Sequence, residues 1–195
     1  MIFLEIMSRI NFNNIGKPNH VKSIFQLYTS ITKVFKTCMR EDLNSKIDRE
    51  LIERKHVMAI DYGQKYTGIA THRVSVDPMI IPYGRIKYQS DEQLVDAVIE
   101  VIEEEFIEVL VLGIPLFTDG KESTMTKTIK EFAKKLEAKV SIPMFLQDET
   151  LSTMEAEDRM KNSPRYNFQV DYSKIDAVAA TIILEDFLNR SSDRL

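Results

Sequence analysis

Four acidic residues stand at the ends of apolar segments, where a folded chain could bring them together. They are Asp61, Asp148, Glu149 and Asp176. Metal-assisted hydrolysis of a phosphodiester requires several carboxylates that converge from different elements on a pair of ions about 3.5 to 4 Å apart. The four residues therefore make a candidate set for this chemistry.

Each of these acids also has a structural explanation. Asp61 ends an apolar segment and would serve equally well as a turn residue. Asp148 or Glu149 would suit the positive end of a following helix, and Asp176 has the capping-box spacing from Ser173. Taken one at a time, the acids do not separate catalysis from structure.

Other kinds of site have little support in the composition. The only cysteine, Cys38, leaves no internal disulfide and no cysteine-based metal cluster. The three histidines, which are His20, His56 and His72, are isolated, so a zinc site is not expected. The longest apolar run, over residues 109–117, is far shorter than the roughly 18 residues that cross a bilayer. No membrane partner is therefore expected.

Apolar runs broken by turn residues predict the elements that position the acids. The runs over residues 57–60, 67–71 and 79–86 predict a meander of three antiparallel strands. The Ser90-x-x-Gln93 spacing then predicts a capping box that starts a helix over residues 91–106. A buried parallel strand follows at residues 109–112.

The second half of the chain predicts another crossover and two closing helices. One helix has an apolar face made of Ile129, Phe132, Ala133 and Leu136, and residues 143–146 predict the last strand. Ser152-x-x-Glu155 predicts the start of the next helix, and residues 174–188 predict the last one after a polar loop. The buried face of the last helix consists of Ile175, Val178, Ala179, Ile182 and Ile183.

The predicted order is βββαβαβαα. It indicates an α/β fold with a mixed five-stranded sheet, in which three antiparallel strands are followed by two βα crossover strands, and with helices on both faces. In this order the segments resemble the YqgF/RuvX family of the RNase H-like superfamily over residues 56–188. Four blocks carry the resemblance: Ile-Asp-Tyr-Gly-Gln-Lys-Tyr-Thr-Gly-Ile-Ala at 60–70, Val-Leu-Gly-Ile-Pro-Leu-Phe-Thr-Asp-Gly at 111–120, Gln-Asp-Glu-Thr-Leu-Ser-Thr-Met-Glu-Ala at 147–156 and Lys-Ile-Asp-Ala-Val-Ala-Ala-Thr-Ile-Ile-Leu at 174–184.

The resemblance implies a nuclease that uses two divalent ions, Mg²⁺ or Mn²⁺. The implied catalytic residues and metal ligands are Asp61, Asp148 or Glu149, and Asp176. The implied contacts with substrate come from Lys65, Gly63 and Ser152. A solvated turn lysine is the alternative for Lys65, and helix capping is the alternative for Ser152.

Two positions depart from the family pattern. Thr150 stands where family members usually have an arginine, so a cation expected beside the site is missing from this block. Phe117 stands where the family tends to have an asparagine, so the hydrogen-bonding role of that asparagine is lost or moved.

The charge distribution suggests two parts. Residues 1–55 carry a net charge of +4 and the remainder −8, within a total of −4. We expect a basic, partly helical or disordered extension over residues 1–55 and an RNase H-like domain over residues 56–190. The basic, acid-poor composition of the extension resembles that of an organellar transit peptide, but arginine is scarce in it. An additional bacterial helix, or a start codon misassigned ahead of Met39, is therefore favoured over the transit peptide.

These features lead to three functional hypotheses. The first is a cytoplasmic, metal-dependent nuclease that processes the 5′ end of pre-16S ribosomal RNA, or that resolves DNA Holliday junctions. Pre-rRNA is the expected partner ahead of a DNA junction, and a monomer or homodimer is expected. The second is a catalytically weak nucleic-acid-binding or ribosome-assembly module, because an acidic domain repels phosphates unless local cations or metal ions screen them. The third, a phosphotransferase of the actin and sugar-kinase type, normally requires a much longer chain.

Overall fold

A mixed β-sheet forms the central layer of the protein. The computed structural model describes residues 39–40, 52–73, 79–115, 123–150 and 152–192. The strands are β1 (Met39–Arg40), β2 (Val57–Asp61), β3 (Tyr66–Arg73), β4 (Met79–Lys87), β5 (Val109–Ile114) and β6 (Met144–Asp148). They lie in the order β1-β6-β5-β2-β3-β4, with β2-β3-β4 antiparallel and β1, β6, β5 and β2 mutually parallel.

The predicted five-stranded sheet is confirmed, and it carries one additional strand. The two-residue β1 pairs in parallel with β6, so it extends the sheet beyond its predicted edge. This strand falls within residues 1–55, which the sequence assigns to a helical or disordered extension. Residues 1–38 and 41–51 lie outside the described part of the chain, as do the transit-peptide and start-codon alternatives and Phe117.

Four helices follow the predicted order. They are α1 (Asp91–Glu104), α2 (Thr124–Glu137), α3 (Ser152–Lys161) and α4 (Ile175–Ser192). Ser90 caps α1, because its Oγ accepts the backbone N–H of Gln93 at 3.3 Å, which is one of the two hydrogen bonds of the predicted capping box. This helix ends before the predicted residue 106, since Phe106 adopts a left-handed φ of 52°. None of the described helices is long and apolar enough to cross a membrane.

The helices cover both faces of the sheet, as the fold class requires. Residues of α1 and α2 pack in one cluster with Met58, Ile60, Leu110 and Leu112. Residues of α4 pack in a second cluster on the opposite face; its sheet members are Val57, Ala59, Ala70, Val109, Val111 and Phe145. Successive strand residues therefore serve opposite faces. The third helix packs against α4 through Ala156 and Met160.

A β-bulge changes the orientation of β4 partway along its length. Ala70 of β3 pairs with Pro82, whereas the preceding Ile69 pairs with Gly84, so Tyr83 is an additional residue in β4. The alternation of side chains between the two faces therefore shifts by one residue at this point.

The first turn of α4 lies unusually close to β3 at Gly68. A Cβ atom at this glycine would lie 1.9 Å from the backbone oxygen of Asp176 and 2.3 Å from its carbonyl carbon. Since both atoms belong to a helix backbone, no side-chain rotation would relieve the overlap. Only glycine allows α4 to sit at this depth on the sheet.

We therefore expect Gly68→Ala to lower the free energy of unfolding by about 3 kcal/mol, because inserting a methyl group into closely packed backbone is destabilising. The matched control is Gly84→Ala on the neighbouring strand, where a Cβ would meet nothing within 4 Å. Urea denaturation followed by circular dichroism measures both variants. Equal stability of the two variants would contradict the close approach of α4 to Gly68.

Candidate active site

The candidate site is organised along one row of residues across the sheet. Asp61 at the end of β2 pairs with Gly68 of β3, and Gly68 pairs with Arg85 of β4. On the other side, Ile60 pairs with Leu112, which places Gly113 of β5 beside Asp61. Paired residues share a face of the sheet, so the side chains of Asp61 and Arg85 point to the face that α4 covers. Asp61 is flanked on both sides by glycine.

Glu149 reaches Asp61 over Gly113. Its backbone N–H donates to the Ile114 carbonyl at 3.2 Å, which keeps the chain against β5 just after β6 ends. A Cβ atom at Gly113 would lie 2.3 Å from Glu149 Oε2 and 2.7 Å from Ile183 Cδ1. The glycine therefore provides the space in which the Glu149 carboxyl group meets Asp61.

The raised pKa values of the two carboxyl groups predict that they share a proton. Burial raises the pKa of Asp61 to about 6; the hydrogen bond from Glu149 opposes that rise, and the charge of Asp176 adds to it. Burial, followed by the charge of Asp61 and their mutual hydrogen bond, raises the pKa of Glu149 to about 9. At neutral pH, protonated Glu149 therefore donates to ionised Asp61. Its Oε2 atom is buried without a hydrogen-bond partner among the described residues.

Asp176 lies near this pair but is bound to a cation. Its Oδ2 accepts a hydrogen bond from Arg85 Nη1 at 3.4 Å. The alternative explanation, a capping box with Ser173, is not formed. The Ser173 hydroxyl donates to Asp171 Oδ1 at 2.5 Å, and the helix begins only at Ile175.

Asp148 takes a different orientation from its neighbour. Its Oδ1 accepts both the backbone N–H of Thr150, at 2.9 Å, and the Thr150 hydroxyl, at 2.5 Å. Its charge contributes to the raised pKa of Glu149, so it is close to the pair. Of the two acids that the sequence leaves open, Glu149 is the one in contact with Asp61. Thr150, which replaces the arginine of the family pattern, serves to hold Asp148.

The three predicted substrate-binding residues have different surroundings. Lys65 is exposed in the turn between β2 and β3, with its ammonium 5.8 Å from the centroid of the Tyr66 ring. Gly63 lies in the same turn, where a Cβ would be 2.2 Å from the Tyr66 carbonyl oxygen. Ser152 is buried at the start of α3, and its N–H donates to the Glu149 carbonyl at 3.0 Å. Of the three, Lys65 is exposed, Gly63 is partly exposed and Ser152 is buried.

Arg85 is a site residue that the sequence did not indicate. Its guanidinium carbon lies 3.8 Å from the centroid of the Tyr66 ring, and Nη1 also donates to the Tyr172 carbonyl at 3.1 Å. The placement depends on the β3–β4 register and on the bulge at Tyr83. Neither feature can be read from a local motif.

The donor chemistry suits a hard divalent cation, although the acids are not yet gathered around one point. Carboxylate oxygens are the ligands that Mg²⁺ and Mn²⁺ prefer, and the unpartnered Oε2 of Glu149 is an oxygen donor of this kind. Within the described part of the chain, no group of three acidic, histidine or cysteine residues lies close enough to hold a metal ion. The pair in contact is Asp61 and Glu149, and Asp176 would have to leave Arg85 to join them.

Comparison with known proteins identifies related sequences. The family model described as "RuvX: Holliday junction resolvase" matches residues 55–190. A Maridesulfovibrio salexigens protein is 33% identical over 138 residues, which cover 69% of this chain and 98% of the relative. A Lawsonia intracellularis protein is 35% identical over 134 residues, with 69% and 93% covered. Both are named "Putative pre-16S rRNA nuclease".

Among solved structures, Thermus thermophilus RuvC in complex with a Holliday junction substrate aligns with a TM-score of 0.48 and 11% identity. The alignment covers 69% of this chain and 95% of that protein.

The shared proton makes stability depend on pH in the absence of metal. The folded protein keeps protons that the unfolded chain loses above the ordinary values of 3.8 and 4.5, so the free energy of unfolding falls as pH rises towards about 9. In EDTA, Glu149→Gln keeps a donor to Asp61 and removes the upper titration. We expect this variant to exceed wild type by about 2 kcal/mol at pH 8.5, and to lose that advantage at pH 4.

Urea denaturation between pH 4 and 9 provides the measurement. Glu100→Gln makes the same chemical change at an exposed position of α1 and should follow the wild-type pH dependence. If Glu149→Gln also runs parallel to wild type at every pH, the shared proton does not exist.

Proposed function

The chain belongs to the RuvX family, and from this premise we propose that it hydrolyses phosphodiester bonds of RNA during maturation of the 5′ end of pre-16S rRNA. The support for RNA is that two relatives carry the name of a pre-16S rRNA nuclease, and that this chain matches nearly the whole length of each. The observation that carries a hydrolytic role is the half-buried Asp61–Glu149 pair at the sheet edge where β2 and β6 end. Two carboxyl groups brought into contact and partly removed from water have no evident benefit for stability.

The acids have distinct proposed roles. Asp61 and Glu149 would hold a divalent cation directly, because they are already in contact and Glu149 has an oxygen without a partner. Asp176 and Asp148 flank the pair and would complete the ligand set. When bound, Mg²⁺ or Mn²⁺ polarises a phosphate and lowers the pKa of an attacking water.

Without a bound cation, the proton between Asp61 and Glu149 partly neutralises the charge of the two carboxyl groups. While Glu149 keeps this proton, the pair carries one negative charge, and when the proton leaves, it carries two. Cation binding should therefore release a proton from Glu149. Desolvation of the two carboxyl groups would strengthen their interaction with a cation.

A DNA four-way junction is the second candidate substrate. The description of the matching family as a Holliday junction resolvase favours it. The second hypothesis, a module without efficient activity, gains no support from the third block. Thr150, which stands where the family usually has arginine, orients Asp148 through its backbone N–H. With pre-rRNA as the partner, the protein would act in the compartment where ribosomes are made.

The test is cleavage of a pre-16S rRNA fragment and of a four-way DNA junction by purified protein in Mn²⁺. We expect the RNA to be cut near the mature 5′ end, and Asp61→Asn to reduce the rate by a factor on the order of 10³ or more while the fold is retained. EDTA should abolish activity. The matched control, Asp96→Asn on the exposed surface of α1, should cleave at the wild-type rate.

Two results would count against this function. Mn²⁺-dependent cleavage that persists in Asp61→Asn would remove Asp61 from the chemistry. Cleavage of the junction but not of the RNA would replace the substrate while leaving the phosphodiesterase assignment in place.

A further inference from the structure

The row that contains Asp61 also contains a cation. Asp61, Gly68 and Arg85 are paired in turn across β2, β3 and β4, so Arg85 is two strands away from Asp61 on the same face. This separation is about 10 Å between the outer backbones. The backbone of α4 at Asp176 lies over the central glycine, between the two side chains. Arg85 therefore lies on the other side of this turn from Asp61, where it contacts the carboxylate of Asp176.

The side chain of Arg85 is fixed in orientation by its neighbours. The guanidinium stacks on the Tyr66 ring at 3.8 Å from the centroid, and a stacked arginine keeps its plane fixed. Nη1 donates to the Tyr172 carbonyl at 3.1 Å and to Asp176 at 3.4 Å. Both of these hydrogen bonds use the same nitrogen. Among the described residues, no hydrogen bond is formed by Nη2 or Nε, and the side chain is 28% exposed.

The chemistry of the site calls for such a cation. Residues 56–195 carry a net charge of −8, and the acids around Asp61 would repel an approaching phosphate. Thr150 supplies no charge in the third block. Lys65, a second cation near the site, lies at the same Tyr66 ring as Arg85, but at 5.8 Å from its centroid.

We propose that Arg85 binds a backbone phosphate of the cleaved strand through the Nη2 and Nε edge of its guanidinium. The inference rests on the nuclease function proposed above and assigns a substrate-binding residue to that site. Arginine presents two parallel donors to a phosphate, which lysine cannot do. The ring of Tyr66 orients this edge, and the Tyr172 carbonyl keeps the other side of the guanidinium occupied.

The test separates phosphate binding from a structural role. Binding of a fluorescent pre-16S rRNA leader fragment is measured in EDTA, without cleavage, over a range of KCl concentrations. Each phosphate contact contributes about 0.7 to 0.9 to the slope of log K against log [KCl]. We expect Arg85→Ala and Arg85→Gln to reduce that slope by about this amount, whereas a residue that only braces the fold would change thermal stability and leave the slope alone.

Two further variants sharpen the measurement. Arg85→Lys keeps the charge and should keep most of the slope, but it loses the paired donors, so the KM for RNA cleavage should rise about tenfold. Lys134→Ala is the control for loss of one positive charge. It lies exposed on α2, across the sheet from α4, and should leave both slope and KM unchanged.

The outcomes distinguish this inference from the function on which it rests. If wild type cleaves RNA and neither Arg85→Ala nor Arg85→Gln reduces the salt slope, Arg85 does not bind phosphate although the nuclease function stands. If the slope falls but wild type cleaves neither substrate, the phosphate contact is supported and the nuclease function fails. Arg85→Gln retains hydrogen-bond donors to the Tyr172 carbonyl, so it keeps the test valid if the alanine variant unfolds.

Discussion

The contact between Asp61 and Glu149 depends on the absence of side chains at the two positions beside Asp61 in the sheet. Gly113 leaves the volume that Glu149 occupies, and Gly68 leaves the volume that the backbone of α4 occupies at Asp176. Acidic residues from three separate segments thus reach one region because the neighbouring strands have glycine, without a side chain, at these positions. The close packing of these elements raises the pKa values of Asp61 and Glu149, since it removes water from their carboxyl groups.

The five main strands and four helices could be predicted from the sequence because each of them has a local pattern of apolar residues. Alternating or continuous apolar runs identified the five main strands. The spacing in the last helix identified mainly the residues that pack against α3, and it missed Ala180, Leu184 and Phe187, which pack against the sheet. The capping interaction of Ser90 was predictable from a local pattern as well. The capping box of α2 was missed, because Ser123 pairs there with Thr126 and not with the usual glutamate or glutamine.

The site was less predictable because it depends on interactions between distant segments. The blocks identified Asp61 and narrowed its partner to Asp148 or Glu149, but only the approach of the chain after β6 shows which carboxyl group meets it. The capping alternative for Asp176 was chemically sound, and it failed because Ser173 bonds instead to Asp171. Arg85 had no local signal, since its neighbours Tyr66 and Tyr172 come from other parts of the chain.

The bulge at Tyr83 determines which face of the sheet the residues after it in β4 point to. Before the bulge Ile80 packs on the α4 face, and after it Arg85 points to that same face although the two residues differ by an odd number of positions. If the same residues of β4 continued in regular alternation without the bulge, Arg85 would point to the opposite face although no side chain in the row had changed. The charge on this face of the sheet therefore depends on the register of β4 as well as on which residues the strand contains, and a comparison of substitutions alone would overlook it.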